Sequence, residues 1–294
     1  MSTNPLVTRS RARRDAINAS DKAAATALAA KRTAWHAAHI GGGSGVPAQA
    51  GGGGQVDPQS IPNLFRQYDA TTIPPQTDNT RLDNWAAKFG GGSMGSSVGQ
   101  GPRYRTAGIN GRPGMEWNQD NFPDAYNMVE TVGPPGANGW TELTLFFVAK
   151  RISGQQLTDI LFWGGAANDD TQVNIHIESP HAPNHEWGLE AGLHTSFVNA
   201  DDIGTVAAKV LTAVIGTKSG TNCPIILRTN GVQKVSGAIV MAAGATILSN
   251  FALGAGAFSV LRTVIGEALL YTRKLTALEI TAVEGYLTAK WGIA

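Results

Sequence analysis

The last part of the chain, residues 258–294, reads FSVLRTVIGEALLYTRKLTALEITAVEGYLTAKWGIA and decides the fold. Residues 264–271 combine β-branched, aliphatic and aromatic side chains with a single charge at Glu267. This composition predicts a strand that is buried on at least one face. The chain then turns through residues 272–274 into a helical pattern. We therefore expect a strand followed by a short terminal helix.

The residues after Thr276 predict a short amphipathic helix. Thr276 and Glu279 have the spacing of a capping box, in which the hydroxyl accepts a hydrogen bond from the N3 amide and the carboxylate accepts one from the cap amide. Large apolar residues then recur at helical spacing, with a hydrophobic staple at the start and a glycine suited to a left-handed conformation at the end. These residues are Leu275, Ile280, Val283, Leu287, Trp291 and Gly292.

The two ends of residues 61–294 resemble concanavalin A-like (laminin-G-like) jelly-roll domains. Such domains open with a YDA strand, a W-x-x-K stretch and an NGRP turn. They close with an IGE strand, LT-x-x-E and a helix ending in YL-x-x-KWG. The matching residues are Tyr68, Asp69, Ala70, Trp85, Lys88, Asn110, Gly111, Arg112, Pro113, Ile265, Gly266, Glu267, Tyr271, Leu275, Thr276, Glu279, Tyr286, Leu287, Lys290, Trp291 and Gly292. The resemblance implies a mainly β sandwich with a short C-terminal helix.

Between these ends, short strand-like runs alternate with turn residues, which is typical of a sandwich. Asn110-Gly111 and Asn230-Gly231 are tight-turn signals, and the second lies between two runs as in a two-residue hairpin. The runs are residues 140–150, 157–163, 173–177, 187–193, 206–215, 224–229, 233–240 and 251–253.

Length and composition exclude several classes of protein. The 294 residues suffice for one large β domain, and a net charge of +1 creates no global field for nucleic acid or a membrane surface. The N-terminus has no apolar core of signal-peptide length, and no run approaches a membrane span. Cys223 is the one cysteine, so no intrachain disulfide can form. We expect synthesis and assembly in the cytoplasm, without nucleic acid or membrane insertion.

Residues 1–40 differ in composition from the rest of the chain. Seven basic residues stand against two acidic ones, and alanine dominates from Ser20 onward, which predicts a basic helix. Because this helix has few large apolar side chains, it needs a partner, and we expect an anchoring arm. Residues 41–60 follow as a glycine-rich linker, and residues 61–294 form the sandwich. The candidate anchoring residues are Arg9, Arg11, Arg13, Arg14, Leu28 and Trp35.

The sequence gives no support for three common types of catalytic site. Jelly-roll glucanases similar to this fold carry a Glu-x-Asp-x-(x)-Glu triplet, which places paired carboxylates on one face of a strand, and no such triplet occurs here. The pattern G-x-S-x-G occurs only inside the glycine-rich residues 90–101, where no helical pattern follows to form the elbow of a serine hydrolase, and no glycine motif follows a strand to hold a phosphate. We therefore predict that the chain is not an enzyme.

Calcium is the metal that the resemblance suggests, because laminin-G-like domains often hold it with loop oxygens. The candidate ligands are Asn168, Asp169 and Asp170, or else Asp120, Asn121 and Asp124, and the alternative is that these are solvated loop residues. The histidines between residues 176 and 194 lie in or beside a proline-containing loop and are better explained as polar loop residues than as a zinc site. No other cofactor is expected.

A sugar site needs aromatic rings beside amide and carboxylate groups, because sugars present apolar faces ringed by hydroxyls. Residues 117–127 have that composition. The same side chains suit a protein interface, and the two tryptophans are also natural core residues at strand ends. The candidate carbohydrate-binding residues are Trp117, Asn118, Asn121, Phe122, Asp124, Tyr126 and Trp187.

An arm, a tether and a lectin-like head together resemble bacteriophage virion proteins. We therefore predict a virion structural protein, either a tail or head fibre, a spike or a capsid decoration subunit. Its arm would dock on other virion proteins, and its sandwich would bind host-surface glycan or stabilise the particle as a homo-oligomer. One alternative is a bacterial carbohydrate-binding module outside any virion. A further alternative is a polysaccharide hydrolase.

Overall fold

The computed structural model describes residues 56–96, 101–118, 128–130, 142–153, 158–160, 173–177, 186–191, 196–202, 207–240, 251–253 and 262–294. The chain divides into two compact units, Met1–Gln55 and Val56–Ala294, and all described residues belong to the second. The predicted helical arm lies outside the described residues and stays a prediction. The predicted boundary between linker and sandwich at residues 60 and 61 also stays a prediction. Pro58 is buried, and its carbonyl oxygen accepts a 3.0 Å hydrogen bond from the Tyr271 hydroxyl.

Strands account for most of the second unit. In chain order they are β1 (Leu64–Asp69), β2 (Asn84–Ala86), β3 (Ser93–Gly95), β4 (Arg103–Ile109), β5 (Arg112–Asn118), β6 (Met128–Glu130), β7 (Leu143–Ser153), β8 (Thr158–Ile160), β9 (Val173–Ile177), β10 (Glu186–Ala191), β11 (Ser196–Asp202), β12 (Lys209–Ile215), β13 (Asn222–Thr229), β14 (Val232–Val240), β15 (Phe251–Leu253) and β16 (Arg262–Tyr271). Helix α1 (Ala277–Trp291) closes the chain, and short 3-10 helices lie at Pro58–Ser60 and Ala70–Thr72. No helix in the described ranges is long and apolar enough to cross a membrane.

These strands form three antiparallel sheets. The large sheet has the order β14-β13-β12-β7-β16-β5-β4, and β1 pairs with the second half of β16 on the edge where β5 pairs with the first half. The two smaller sheets have the orders β11-β10-β9-β8 and β15-β6-β3-β2.

The large sheet separates two hydrophobic cores, because its side chains alternate between its faces. On β7, Leu145 and Phe147 point to the inner core, whereas Phe146 and Val148 point to the outer core. The inner core also contains residues from both smaller sheets, which are Trp85, Met94, Met128, Trp187, Leu189, Ala200 and Leu253. The outer core lies under helix α1. The second unit is therefore a mainly β sandwich with a helix on its outer face.

The closing strand and helix match the sequence prediction. The capping box at Thr276 and Glu279 is present, and Gly292 ends the helix at φ 60° and ψ 42°. The predicted apolar stripe is buried in the outer core together with Leu275. Both Asn-Gly turns are confirmed, since Asn110 and Asn230 have positive φ and each is followed by a positive-φ glycine. The jelly-roll type of the sandwich stays a prediction.

A β-bulge explains the Ile265-Gly266-Glu267 motif. The register of β16 against β7 shifts between Ile265 and Glu267, so Gly266 and Glu267 both face the helix. A Cβ on Gly266 would lie 2.6 Å from Cη2 of Trp291, so only glycine lets this ring reach the sheet. The bulge thereby directs the Glu267 carboxylate towards the end of helix α1.

Candidate functional site

The outer face of the large sheet carries a buried ionic cluster. The carboxylates of Asp69 and Glu267 both accept hydrogen bonds from Lys290 Nζ, at 2.5 and 2.6 Å. Glu267 also accepts hydrogen bonds from Trp291 Nε1 at 2.8 Å and from Gln67 Nε2 at 2.6 Å. The Asp69 and Glu267 side chains are 1% and 0% exposed. Because each carboxylate oxygen is bonded, the cluster fastens the helix to the sheet and leaves no oxygen for a substrate.

The pKa of Asp69 reflects opposing effects. Burial favours the neutral acid and raises the pKa, whereas the charge of Lys290 and hydrogen bonds from Lys290 and Thr71 favour the carboxylate. The effects that favour the carboxylate prevail, so the pKa of Asp69 lies below its ordinary value. Asp69 is therefore ionised at neutral pH. A general acid would need the opposite shift.

A second ion pair on the outer face is also fully bonded. Glu284 of α1 accepts hydrogen bonds from Thr212 Oγ1 at 2.8 Å and from Arg228 Nε and Nη2 at 2.8 and 2.9 Å. These contacts join the helix to β12 and β13. Both outer clusters are thus explained by the attachment of helix α1.

At one end of the large sheet, the side chains on the inner face change from apolar to partly polar. Trp117, Thr263 and Arg151 are direct partners across β5, β16 and β7, and each is 2% exposed. The neighbouring row on the same face, two residues away along each of these strands, is apolar. Those apolar residues are Met115, Ile265 and Ala149. Polar groups thus begin on this face one residue before β5 ends at Asn118.

Hydrogen-bond donors concentrate at this row. The Trp117 ring lies 6.4 Å from the ring of Trp85, which is 1% exposed. The indole Nε1 atoms of Trp85 and Trp117 and the Thr263 hydroxyl have no hydrogen-bond partner within the part of the chain that the structure describes. Arg151 adds a guanidinium, which only donates. We call Trp85, Trp117, Arg151 and Thr263 the donor cluster.

The donor cluster contrasts with the clusters on the outer face. Most buried polar groups in proteins have a partner, and leaving one without a partner costs about 1–3 kcal/mol. Two such groups, on Trp117 and Thr263, lie at one end of the inner face of the large sheet, and a third lies on the neighbouring Trp85 ring of β2, so these groups require an explanation. A bound molecule that presents acceptor oxygens would supply the missing partners.

The two candidate sugar-stacking tryptophans lie in the inner core. Trp117 is 2% exposed and Trp187 is 0% exposed, so neither ring presents a face on which a sugar could stack. Each ring points inward from its strand, where burial of a large aromatic surface stabilises the sandwich. Trp187 Nε1 donates a 2.8 Å hydrogen bond to Thr229 Oγ1. This corrects the stacking role predicted for both residues.

The other predicted site residues fall largely outside the described residues. Asn118 ends β5, and only its backbone is described. Asn121, Phe122, Asp124, Tyr126, the candidate calcium ligands Asn168, Asp169 and Asp170, and the anchoring residues Arg9, Arg11, Arg13, Arg14, Leu28 and Trp35 all lie outside the description, and their roles stay predictions. Among the described residues, no group of three or more His, Cys, Asp or Glu side chains is placed to hold a metal.

Sequence reasoning missed Thr263 and Arg151. The predicted strands begin at residue 264 and end at residue 150, so each residue lies one position beyond a predicted boundary. Alternation along β7 could have found Arg151, because inward positions recur at every second residue from Leu143. Nothing in the sequence could have shown that the Thr263 hydroxyl lacks a partner among the described residues.

Comparison with known proteins gives fold-level matches. No protein-family model matches the sequence, and no curated protein matches it. Solved structures do match. The sialidase of Trypanosoma rangeli in complex with 2,3-difluoro-KDN aligns at a TM-score of 0.54 and 14% identity, over 84% of this chain and 35% of that one. The same sialidase in complex with sialic acid aligns at 0.53 and 15% identity, with the same coverages.

A toxin domain gives a similar result. The ligand-binding domain of botulinum neurotoxin serotype D, in complex with N-acetylneuraminic acid, aligns at a TM-score of 0.51 and 11% identity, over 76% of this chain and 50% of that one. The chain thus spans about a third to a half of the structures that it matches. At these identities the matches define a fold. The second unit has a sheet-rich, lectin-like β-sandwich fold.

Proposed function

We propose that the second unit is a carbohydrate-binding module whose ligand accepts hydrogen bonds from the donor cluster. The observation that carries this proposal is the set of buried donors without partners at Trp85, Trp117 and Thr263. Carbohydrates are rich in acceptor oxygens, which are the groups that this cluster lacks. The candidate sugar-binding segment, residues 117–127, begins with Trp117 of the cluster and Asn118, which are the last two residues of β5.

The structural matches agree with this proposal at the level of their ligands. Two of the three complexes described above contain sialic acid and N-acetylneuraminic acid, each bound to its own protein. What the present chain shares with these proteins is the lectin-like fold.

A glycan array probed with the full chain tests the proposal. We expect binding to a defined set of glycans, and we expect Trp117→Phe to weaken it, because phenylalanine keeps an aromatic ring and removes the N–H. Trp187→Phe is the matched control, since it removes an indole N–H that already has a partner in Thr229. Silence of the full chain across the array, or equal losses in both variants, would contradict the proposal.

We further propose that the module binds without turnover. The described carboxylate pair, Asp69 and Glu267, is fully bonded and Asp69 is held ionised, which does not suit an acid–base pair. Incubating the full chain with every glycan that it binds should release no sugar. Release that depends on protein concentration would favour the hydrolase alternative.

The location of the module in a virion is a separate proposal. It rests on the basic, alanine-rich residues 1–40, the glycine-rich residues 41–60 and the resemblance to bacteriophage proteins. The arm would dock on other virion proteins and promote a homo-oligomer, with assembly in the host cytoplasm. A chain without residues 1–40 should stay folded and fail to join the particle. Incorporation at normal occupancy would instead favour a carbohydrate-binding module without a virion anchor.

A further inference from the structure

We propose that Asn110 is a site of spontaneous deamidation, and that this modification loosens the end of helix α1. Asn110 forms the turn between β4 and β5 together with Gly111. Its side chain reaches from that turn to the last residues of the helix. The modification is independent of the proposed carbohydrate-binding function.

An Asn-Gly dipeptide can react with itself. The glycine nitrogen forms a bond to Cγ of the asparagine and loses its proton, while the side-chain nitrogen leaves as ammonia. Water then opens the cyclic imide, which gives aspartate or the isomer in which the main chain continues through the side-chain carboxyl group. Because glycine has no side chain, it permits the close approach that this attack needs.

The nitrogen that would leave from Asn110 holds the end of helix α1. Asn110 Nδ2 donates hydrogen bonds to the carbonyl oxygens of Trp291 and Gly292, at 2.9 and 3.0 Å. Carbonyl groups at the end of a helix have no partner within the helix, so this side chain acts as a cap from outside it. Deamidation removes the group that makes both bonds.

The product would also repel the helix end. A carboxylate only accepts hydrogen bonds, and at this position it would face two carbonyl oxygens. The end of a helix carries partial negative charge, which disfavours an anion there. The Trp291 ring packs against Gly266 in the same turn of the helix. Loss of the cap should therefore loosen the contact of this ring with the sheet.

The turn at Asn230 provides a comparison within the chain. Its asparagine and glycine have φ values of 47° and 79°, against 48° and 77° at Asn110, so the backbone does not distinguish the two turns. The Asn230 amide is fixed at both ends, because Nδ2 donates to the Ala294 carbonyl at 3.0 Å and Oδ1 accepts from the Val210 amide at 2.9 Å. Asn230 is also half-buried, whereas Asn110 is exposed. Since Asn230 must break an additional hydrogen bond, we expect Asn110 to react about fivefold faster or more.

Peptide mapping by mass spectrometry tests this order. The full chain is incubated at mildly alkaline pH below its melting temperature, and conversion is followed at each Asn-Gly dipeptide. The third such dipeptide, Asn138-Gly139, lies outside the described residues. The same incubation in concentrated urea gives the rates of the unfolded chain. Equal or slower conversion at Asn110 than at Asn230, or an unreacted Asn110 after the unfolded chain has been converted, would overturn the proposal.

Asn110→Asp tests the effect on the helix, because it creates the deamidated side chain directly. Amide hydrogen exchange in residues 288–293 should be faster in this variant, and the melting temperature should fall by about 2–4 °C. Asn79→Asp is the matched control. Asn79 also has a positive φ, but its Oδ1 accepts a hydrogen bond from Arg105 Nη1, which aspartate retains. Equal exchange and equal melting temperatures in the two variants would show that deamidation does not release the helix end.

Discussion

Gly266 shows how one residue fixes the position of the terminal helix. Its missing Cβ leaves room for the Trp291 ring, and the neighbouring Glu267 receives the indole N–H of that ring at 2.8 Å. The sequence motif made these residues recognisable as a unit. The motif did not show which contacts these residues make, because those contacts join distant parts of the chain. Glu267, for example, also accepts a hydrogen bond from Gln67, which lies 200 residues away.

Gly266→Ala should therefore lower the free energy of unfolding by about 1–3 kcal/mol, as expected for overpacking against a buried ring. Gly285→Ala is the control, since that glycine lies on α1 with no atom within 4 Å of the added methyl group. The control should stabilise the chain by about 0.5–1 kcal/mol through its higher helix propensity. Urea denaturation measures both values. Equal effects of the two substitutions would contradict the packing of Trp291 on Gly266.

Asp69 should contribute to the acid sensitivity of the fold. Its pKa is lowered from 3.8 in the folded state, so its contribution to stability is complete above that value. The contribution is lost as the pH falls through the lower folded-state pKa, because the carboxylate must then be protonated. In Asp69→Asn the free energy of unfolding should fall less steeply below pH 3.8 than in the unmodified chain. Parallel curves from urea denaturation at several pH values would show that Asp69 is not the source.

At the scale of elements, helix α1 was the most predictable part of the chain. Its capping box, apolar stripe and terminal glycine are local signals within residues 275–292, and each is confirmed. The strand Ser196–Asp202 was missed, because no predicted run lies between residues 193 and 206. Its pairing with β10 is a tertiary contact that overrides local composition.

The capping box allows a matched comparison on one helix. Thr276→Ala removes the hydroxyl that accepts a hydrogen bond from the Glu279 amide, and it should cost about 1 kcal/mol of stability. The Thr281 hydroxyl only donates to the Ala277 carbonyl within the helix, so Thr281→Ala should be neutral or slightly stabilising. Thermal unfolding of both variants measures the difference. Equal melting temperatures would mean that the cap contributes nothing.

At the scale of the whole molecule, the second unit contains its own hydrophobic cores. All members of both core clusters lie between residues 56 and 293. The sandwich class was predictable from strand spacing and from the two ends of residues 61–294. The donor cluster was not, because it depends on which inward positions come together across β5, β16 and β7.

A fragment of residues 56–294 should consequently fold and unfold cooperatively, with the same denaturant midpoint as the full chain. Light scattering on both proteins reports the role of residues 1–55. If the arm drives assembly, the full chain should be an oligomer and the fragment a monomer. A fragment that fails to fold would contradict the independence of the second unit. Identical oligomers would contradict assembly through the arm.

The most direct test of ligand binding at the donor cluster is a nuclear magnetic resonance titration of the indole N–H signals. The full chain is labelled with ¹⁵N, and the signals are assigned with single tryptophan-to-phenylalanine variants. On addition of the tightest glycan from the array, the Trp85 and Trp117 signals should shift, because their N–H groups gain an acceptor. The Trp187 and Trp291 signals should stay in place, because those groups already donate to Thr229 and Glu267. Stationary Trp85 and Trp117 signals in the presence of a saturating glycan would contradict the account.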